Sequence, residues 1–187
     1  GRANVVAVKV RNEGENSRWY SGSGIYRHVW LKVLDPVHVA QWGTAVTTPD
    51  ATAASARVHV VTRVDNQSAG AAAVTLTTRL VSASGEEAGI ATAAHTIAPG
   101  TSSEFSQDII VAGPDLWSPE SPAMYTAISE VRSSGRVLDR AETPFGIRSV
   151  VFDATRGFVL NGTPMKLRGG CIHHDHGPLG SASYDRA

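Results

Sequence analysis

The sequence predicts an all-β fold, and three of its features support that prediction. Apolar and polar side chains alternate along several short segments, which is the pattern of a strand with one buried face. Turn-forming residues, among them 18 glycines and 9 prolines, separate these segments. No window of about 11 residues shows the 3.6-residue period of an amphipathic helix. The hydrophobic content of 42% is sufficient for a packed core.

Two predicted strands precede a boundary at Asp35-Pro36. Side chains alternate along residues 5–11 and again along residues 25–34, with polar and glycine-rich residues between the two segments. Proline interrupts a strand because it has no amide hydrogen to donate to a neighbouring strand. We therefore expect a first structural boundary at this dipeptide.

About seven further strands are predicted between residues 36 and 148. The first starts at Val37 and is expected to end at a turn near Trp42-Gly43. Weaker alternation predicts strands at 88–97, 124–131 and 137–142. Three strands alternate clearly, and their expected inward-facing residues are Val58, Val60, Thr62 and Val64, then Val74, Leu76, Thr78 and Leu80, then Phe105, Gln107, Ile109 and Val111. Seven short strands with turns about every 8–12 residues are typical of an immunoglobulin-like β-sandwich.

A β-hairpin is predicted after residue 148. Segments 157–160 and 165–168 flank the dipeptide Asn161-Gly162, and both of its residues tolerate the positive φ angles of a tight two-residue turn. Residues 169–178 follow and combine glycines, a cysteine, histidines and an aspartate. This last segment contains the greatest variety of side chains capable of catalysis or metal binding in the chain.

Composition excludes several classes of partner. Lys+Arg and Asp+Glu each number 17, and a net charge of zero argues against nucleic acid or an anionic membrane surface, since both attract a basic excess. No apolar run reaches the roughly 18 residues that a membrane-spanning helix needs. The single cysteine, Cys171, excludes an intramolecular disulfide and a thiolate metal cluster. It is expected to be buried and inert.

The histidine-rich segment has three interpretations. Imidazole and carboxylate groups bind zinc or manganese, but alternate side chains of an extended segment share a face. His174 and His176 then point one way and His173 and Asp175 the other, which leaves too few ligands on either face. A turn with solvated histidines and a face that lines a polar ligand pocket both stay open. No metal or other cofactor is expected.

Other notable side chains receive structural interpretations. Trp117 is expected to close one end of the sandwich. Asn66 and Asn161 each begin a glycosylation triplet, a pattern with frequent false matches. A group of aromatic residues is a candidate sugar-stacking surface, although core or interface packing is the favoured interpretation; the group is Trp19, Tyr20, Tyr26 and Trp30.

Three separated motifs resemble one family, the family 2 glycoside hydrolases of the β-galactosidase, β-glucuronidase and β-mannosidase group. Residues 19–31 resemble the last strands of that family's N-terminal jelly-roll domain. Residues 116–125, which read LWSPESPAMY, resemble the signature late in its immunoglobulin-like second domain. The entry into its catalytic (β/α)8 barrel is resembled by Phe145-Gly146-Ile147-Arg148, Gly157-Phe158, Leu160-Asn161-Gly162 and Leu167-Arg168-Gly169.

The resemblance implies three parts within the chain. Residues 1–35 would be the C-terminal end of the jelly-roll domain, residues 36–148 the complete sandwich, and residues 149–187 the first strand of the barrel. Both ends are then interrupted domains, and the neighbouring jelly-roll and barrel domains are expected partners. The oligomeric state is left open.

The resemblance also implies an activity for the parent protein. It would be a retaining β-glycosidase, most like a bacterial β-galactosidase, that acts on a β-glycoside or oligosaccharide. Its two catalytic glutamates would follow Ala187, so no catalytic residue is expected in this chain. Asn12-Glu13 copies the family's Asn-Glu pair but lies in the jelly-roll part and is rejected as catalytic.

Two substrate-binding residues are implied by the resemblance. His173 falls where the family has a histidine beside the sugar subsite, at the C-terminal end of the first barrel strand. Asp175, on the same expected face, is the second candidate. Where many β-galactosidases read Asn-Arg-His-Glu, this chain has Cys171-Ile172-His173-His174, which is similar to a secreted or periplasmic bacterial subgroup. The identity of the sugar stays open, as does an alternative function as an autonomous carbohydrate-binding or adhesion module.

Overall fold

The computed structural model describes residues 4–11, 13–14, 24–25 and 28–171. They fall into two compact units, one formed by Val33–Arg168 and the other by the described parts of Gly1–Lys32 and Gly169–Ala187. The described residues of the second unit contain neither helix nor strand, so the strands predicted at 5–11 and 25–34 are not observed. Their apolar side chains are exposed, and a strand needs a hydrogen-bonded neighbour that sequence alternation does not supply.

The larger unit contains ten antiparallel strands. The first seven form two sheets, a three-stranded one of order β1-β2-β5 and a four-stranded one of order β4-β3-β6-β7. A separate small sheet of order β10-β9-β8 follows. The strands are β1 Val37–Ala51, β2 Ser55–Asn66, β3 Ala72–Ser82, β4 Glu87–Ile97, β5 Thr101–Ala112, β6 Tyr125–Ser133, β7 Arg136–Phe145, β8 Val150–Asp153, β9 Gly157–Leu160 and β10 Thr163–Pro164.

The predicted immunoglobulin-like sandwich of about seven strands is confirmed. Its fourth strand, β4, pairs with β3 in the four-stranded sheet. In constant-type immunoglobulin domains the fourth strand belongs to the opposite sheet, so this domain has the same architecture with one strand exchanged. The start of β6 also carries a tyrosine corner: Tyr125 is 5% exposed, and its hydroxyl accepts a hydrogen bond of 2.9 Å from the backbone amide of Asp115.

The core consists of two apolar clusters separated by a polar layer. Each of the strands β2, β3, β5 and β6 contributes one residue to that layer, and its apolar neighbours two positions away belong to different clusters. The four polar residues are Thr62, Thr78, Gln107 and Ser129, which are between 0% and 4% exposed. The sequence predicted the inward orientation of the first three.

Two hydrogen bonds in the polar layer join the two sheets. The hydroxyl of Thr78 on β3 donates to Oε1 of Gln107 on β5 over 2.6 Å, and it also lies 3.2 Å from the Ser129 hydroxyl. The Gln107 amide donates to the Leu76 carbonyl over 3.3 Å. Sliding one sheet along the other would break these bonds in an apolar environment. The layer therefore sets the relative position of the sheets.

The lateral edges of the sandwich are closed by specific contacts. Between β1 and β7, the Val39 amide donates to the Asp139 carboxylate over 2.8 Å. Between β4 and β5, Gly89 lies so close to the other sheet that a Cβ atom there would be 2.5 Å from Cγ2 of Ile109. His95 adds a 2.7 Å hydrogen bond to the Ser103 hydroxyl.

The turn predicted near Trp42-Gly43 is wrong, because β1 continues through both residues. The pairing of β1 with β2 shifts between Val39 and Thr44, which marks a bulge, and Trp42 has a φ of 54°. A Cβ atom on Gly43 would lie 2.7 Å from the Ala40 carbonyl oxygen. The glycine therefore permits a close backbone approach within a bulged strand.

The hairpin predicted at Asn161-Gly162 is confirmed. Asn161 and Gly162 have φ angles of 48° and 81°, and Leu160 pairs with Thr163 across the two-residue turn. The returning strand β10 is short, and residues 165–168 are not assigned to a strand. One backbone hydrogen bond of 2.9 Å, from Met165 to Phe158, extends the pairing beyond it.

Substitutions in the polar layer are expected to be strongly coupled. Thr78→Val and Gln107→Leu should each lower the free energy of unfolding by about 1–3 kcal/mol, because each leaves a buried polar partner unsatisfied. The double variant removes both partners and should lose clearly less than the sum of the two single variants. Urea unfolding of the four proteins measures this coupling, and additive losses would contradict a hydrogen bond between the sheets.

A glycine-to-alanine pair tests the closure between β4 and β5. Gly89→Ala should cost about 1–3 kcal/mol of unfolding free energy, since its methyl group would overlap Ile109. Gly70→Ala is the matched control, because a Cβ atom there has no neighbour within 4 Å. Thermal unfolding should separate the two variants, and equal melting temperatures would show that the contact is not tight.

Candidate functional site

The two substrate-binding residues predicted from the resemblance, His173 and Asp175, lie outside the described residues. Their roles stay predictions. Cys171 is described, and it is exposed rather than buried, so the prediction of a buried cysteine is wrong. The residue lies in the smaller unit, where the described backbone forms no strand that would enclose it.

The described residues contain no group of three or more His, Cys, Asp or Glu side chains that could hold a metal ion. The described residues contain no helix that is long and apolar enough to cross a bilayer. The densest charge cluster lies on the outer face of the three-stranded sheet. There Arg57 binds Asp50 over 2.6 Å, and this hydrogen bond raises the pKa of the guanidinium. His59 contacts Asp108 over 2.8 Å on the same face.

Three segments of the chain converge on Trp117, and we name this arrangement the Trp117 junction. The Trp117 amide donates to the Ile147 carbonyl over 2.8 Å, just after β7. The Trp117 carbonyl accepts a hydrogen bond of 3.0 Å from the side-chain amide of Asn161, in the hairpin turn. Trp117 is half-buried at the end of the sandwich from which the chain leaves towards the hairpin.

The indole of Trp117 lies between a glycine and an arginine. A Cβ atom on Gly146 would be 2.8 Å from Cγ of Trp117, so only glycine permits this approach. On the ring itself, the guanidinium carbon of Arg148 lies 5.0 Å from the centroid, within the range of a cation–π interaction. The Phe145-Gly146-Ile147-Arg148 motif therefore provides a close packing contact, a hydrogen-bond acceptor and a cation to the tryptophan.

Asn161 connects the hairpin to the sandwich through both of its side-chain atoms. While Nδ2 donates to Trp117, Oδ1 accepts a hydrogen bond of 2.9 Å from the Ser149 amide. The backbone amide of Asn161 also donates to the Ser149 carbonyl over 2.9 Å. The hairpin signal in the sequence accounts for the φ angle of Asn161 but not for this second role.

The three-stranded sheet is tied to the same junction. The hydroxyl of Thr48, on β1, donates to the Arg148 carbonyl over 2.6 Å. Hydrogen bonds thus link β1 to the segment after β7, and link both that segment and the hairpin turn to Trp117.

The turn between β8 and β9 is capped by Asp153, which accepts hydrogen bonds from the backbone amides of Arg156 and Thr155 over 2.8 and 2.9 Å.

These amides hold the pKa of the Asp153 carboxyl below its usual value. The stabilisation of the turn is consequently present at neutral pH and is lost as the pH falls through the lowered pKa.

A groove of about 680 Å³ opens beside Trp117. Apolar and polar groups line it to similar extents; its residues are Val46, Thr47, Thr48, Pro49, Trp117, Met124, Pro144, Phe145, Gly146, Arg148 and Val150. Among the described residues that line it there is no carboxylate, histidine or cysteine, so these residues provide no general acid, general base or ionisable nucleophile.

The two glycosylation triplets serve structural roles. Asn66 is 1% exposed, and its side-chain amide donates to the carbonyls of Gly70 and Ile97 over 2.8 and 2.9 Å. The amide of Asn161 is committed to Trp117. Neither amide nitrogen is available for a glycan in the folded protein.

Comparisons with known proteins agree with the motif resemblance. Residues 37–148 match the family model described as Glycosyl hydrolases family 2. The β-galactosidase BoGH2A of Bacteroides ovatus is 42% identical over 185 residues, which are 98% of this chain and 22% of that protein. A β-glucuronidase of Formosa agariphila is 30% identical over 190 residues, which cover 90% of this chain and 19% of that protein.

Solved structures give the same result. A glycosyl hydrolase family 2 member from Bacteroides cellulosilyticus matches with a TM-score of 0.86 and 42% identity, over 95% of this chain and 23% of its own. The chain therefore spans about a fifth of the length of these relatives. The family resemblance predicted from the three motifs is confirmed: this chain belongs to family 2 of the glycosyl hydrolases.

Proposed function

We propose that this chain is the central portion of a retaining β-glycosidase, most like a β-galactosidase, in which the sandwich is a structural connector. The observation that carries the connector role is the Trp117 junction. Its hydrogen bonds to backbone carbonyls join the hairpin to the loop between β5 and β6, and join β1 to the segment after β7. None of the described residues that line the adjoining groove is a carboxylate, a histidine or a cysteine. A rigid attachment without reactive groups is what a positioning domain needs.

The activity is assigned to the parent protein on the basis of its relatives. Their names are β-galactosidase and β-glucuronidase, and the named β-galactosidase is the more similar of the two described above, at 42% against 30% identity. Retaining hydrolysis requires two carboxyl groups about 5–5.5 Å apart, a nucleophile and an acid/base. We assign both to polypeptide beyond this chain, and we assign His173 and Asp175 to contacts with the sugar hydroxyls.

The carboxylates of the sandwich and of the small sheet after it support this division of labour, because several already stabilise the fold. Asp50 pairs with Arg57, Asp139 bridges β7 to the backbone of β1, and Asp153 caps a turn. A general acid with a raised pKa is typical of glycosidases. The carboxyl group of Asp153 has its pKa shifted in the opposite direction.

A second candidate function is autonomous carbohydrate binding by the sandwich. It is favoured by Trp42, whose side chain is 93% exposed on the bulge of β1 and whose backbone has a positive φ. An exposed indole offers an apolar face with a polar edge, which suits the face of a sugar ring. Titration of this chain with simple β-glycosides tests the idea through the fluorescence of Trp42, with Trp42→Ala as the control.

Hydrolysis of nitrophenyl β-glycosides tests the proposed activity. We expect the full-length protein to release nitrophenol from the β-galactoside faster than from the β-glucuronide, and this 187-residue chain to release none. Absorbance of nitrophenolate is the measurement. Turnover by the chain alone would contradict the connector role, and preferred cleavage of the glucuronide would contradict the assignment as a β-galactosidase.

Asn161→Asp tests whether the junction fixes the hairpin. The substitution keeps the acceptor for Ser149 but places a carboxylate oxygen against the Trp117 carbonyl, which should cost about 1–3 kcal/mol. Amide hydrogen exchange of the hairpin should then accelerate at least about fivefold at neutral pH. Asp153→Asn, in the turn between β8 and β9, is the control for a change in charge within the same small sheet.

In the Asn161→Asp variant, the amides of β2 should keep their exchange rates because they lie within the core of the sandwich. Acceleration throughout the sandwich would indicate global destabilisation instead. Unchanged rates in the hairpin would show that the Trp117 hydrogen bond does not hold it.

A further inference from the structure

Two buried threonine hydroxyls lie on facing positions of β1 and β2. Thr44 and Thr62 are partners in the antiparallel register, so their side chains are on the same face of the sheet. That face is the inner one, because Thr62 is 0% exposed. The Oγ1 atoms of both residues are buried, and neither has a hydrogen-bonding partner in the described part of the chain. A buried hydroxyl without a partner costs free energy, so each of the two requires an explanation.

Thr44 extends the polar layer of the core into β1. The preceding inward residue of that strand, Val39, belongs to one apolar cluster, and Val46 packs against the other. Thr44 therefore lies between the clusters, as Thr62 does. The remaining members of the layer on β3, β5 and β6 hydrogen-bond to one another or to the backbone. The end of the layer on β1 and β2 is thus formed by two hydroxyls that lack such bonds.

Another pair of facing threonines bonds directly. Thr77 on β3 and Thr92 on β4 are register partners on the outer face of their sheet, and their Oγ1 atoms are 3.1 Å apart. The inner pair of Thr44 and Thr62 makes no such bond, although it is shielded from bulk water. A third group is therefore needed to satisfy the inner pair.

The expected spacing of the inner pair suits one water molecule. Directly opposed residues of an antiparallel pair have Cβ atoms about 4.5–5.5 Å apart. A water that bonds to one oxygen on each side, over about 2.8 Å each, bridges up to about 5.6 Å. An ion is disfavoured at this place, because none of the buried polar residues in the described ranges is charged.

Further hydrogen-bonding groups lie beside the pair. Four residues of β1, 40–43, oppose the single residue Arg63 directly before Thr44, and a bulge of this kind leaves backbone groups unpaired. Gln107 is the diagonal neighbour of Thr62 across β2 and β5, and it donates one of its two amide hydrogens to a carbonyl of β3. These groups are candidates for additional bonds to a molecule between the two hydroxyls.

We infer that the hydroxyls of Thr44 and Thr62 bind one internal water molecule. Internal waters typically make about three hydrogen bonds to buried polar groups that have no other partner. This water joins β1, the edge strand of the three-stranded sheet, to the polar layer that sets the relative position of the sheets. The site lies within the sandwich and does not depend on the proposed function.

Oxygen-17 magnetic relaxation dispersion of this chain and its variants counts long-lived waters and tests the inference. Thr44→Val and Thr62→Val each keep the shape of the side chain and remove the hydroxyl. Thr77→Val is the matched control, since its partner hydroxyl is on the exposed face. We expect each inner variant to lose about one long-lived water and the control to lose none. An equal number of long-lived waters in the unsubstituted chain and in both inner variants would overturn the inference.

The sign of the stability change provides a second test. If the Thr62 hydroxyl binds a water, Thr62→Val removes that bond, and the melting temperature should fall by about 2–6 °C. A hydroxyl without any partner would instead be relieved by valine, so a higher melting temperature would contradict the site. The double variant Thr44→Val/Thr62→Val should lose less than the sum of the two single variants, because the two hydroxyls share one water.

A high-resolution crystal structure of the unsubstituted chain needs no variant. We expect a density peak within about 3.2 Å of both Oγ1 atoms. The absence of such a peak, with both side chains well ordered, would overturn the inference.

Discussion

The hydrogen bond between Thr78 and Gln107 is the constraint on which the rest of the sandwich depends. Apolar side chains drive the two sheets together, but a purely apolar interface would tolerate sliding by a residue pair. The 2.6 Å bond lies inside that interface, on residues that are 0% and 4% exposed, and it links one strand from each sheet. Because this bond fixes the relative position of the sheets, it also fixes the relative positions of the groups that each sheet contributes to the Trp117 junction. Thr48 comes from one sheet and the segment after β7 from the other.

The sequence predicted those parts of the fold that depend on local patterns. A period of two identified the inward residues of β2, β3 and β5, and Asn161-Gly162 identified the hairpin from the φ preferences of two adjacent residues. Trp42-Gly43 was misinterpreted because glycine is common both in turns and in bulges. What distinguishes the two is the contact of Gly43 with Ala40 and with Arg63 on the next strand. The alternation of apolar and polar side chains along residues 5–11 likewise indicates which face a strand would bury. It does not indicate whether a neighbouring strand is present to form hydrogen bonds with it.

The sequence predicted which motifs contribute to the candidate site but not how they are connected. The motif around Trp117 and the Phe145-Gly146-Ile147-Arg148 motif both resembled the family in sequence, and the structure brings them into contact. The link through Asn161 was missed, since 44 residues separate it from Trp117 and its place in a tight turn already accounted for an asparagine there. A hydrogen bond from a side chain to a distant backbone carbonyl has no signature in the local sequence.

Most polar links of the junction end on backbone atoms, which has a consequence for its tolerance of substitution. The carbonyls of Ile147, Arg148 and Trp117 accept hydrogen bonds whatever side chains these residues carry. Sensitivity is therefore concentrated where a side chain is itself required, at Asn161, or where none is allowed, at Gly146.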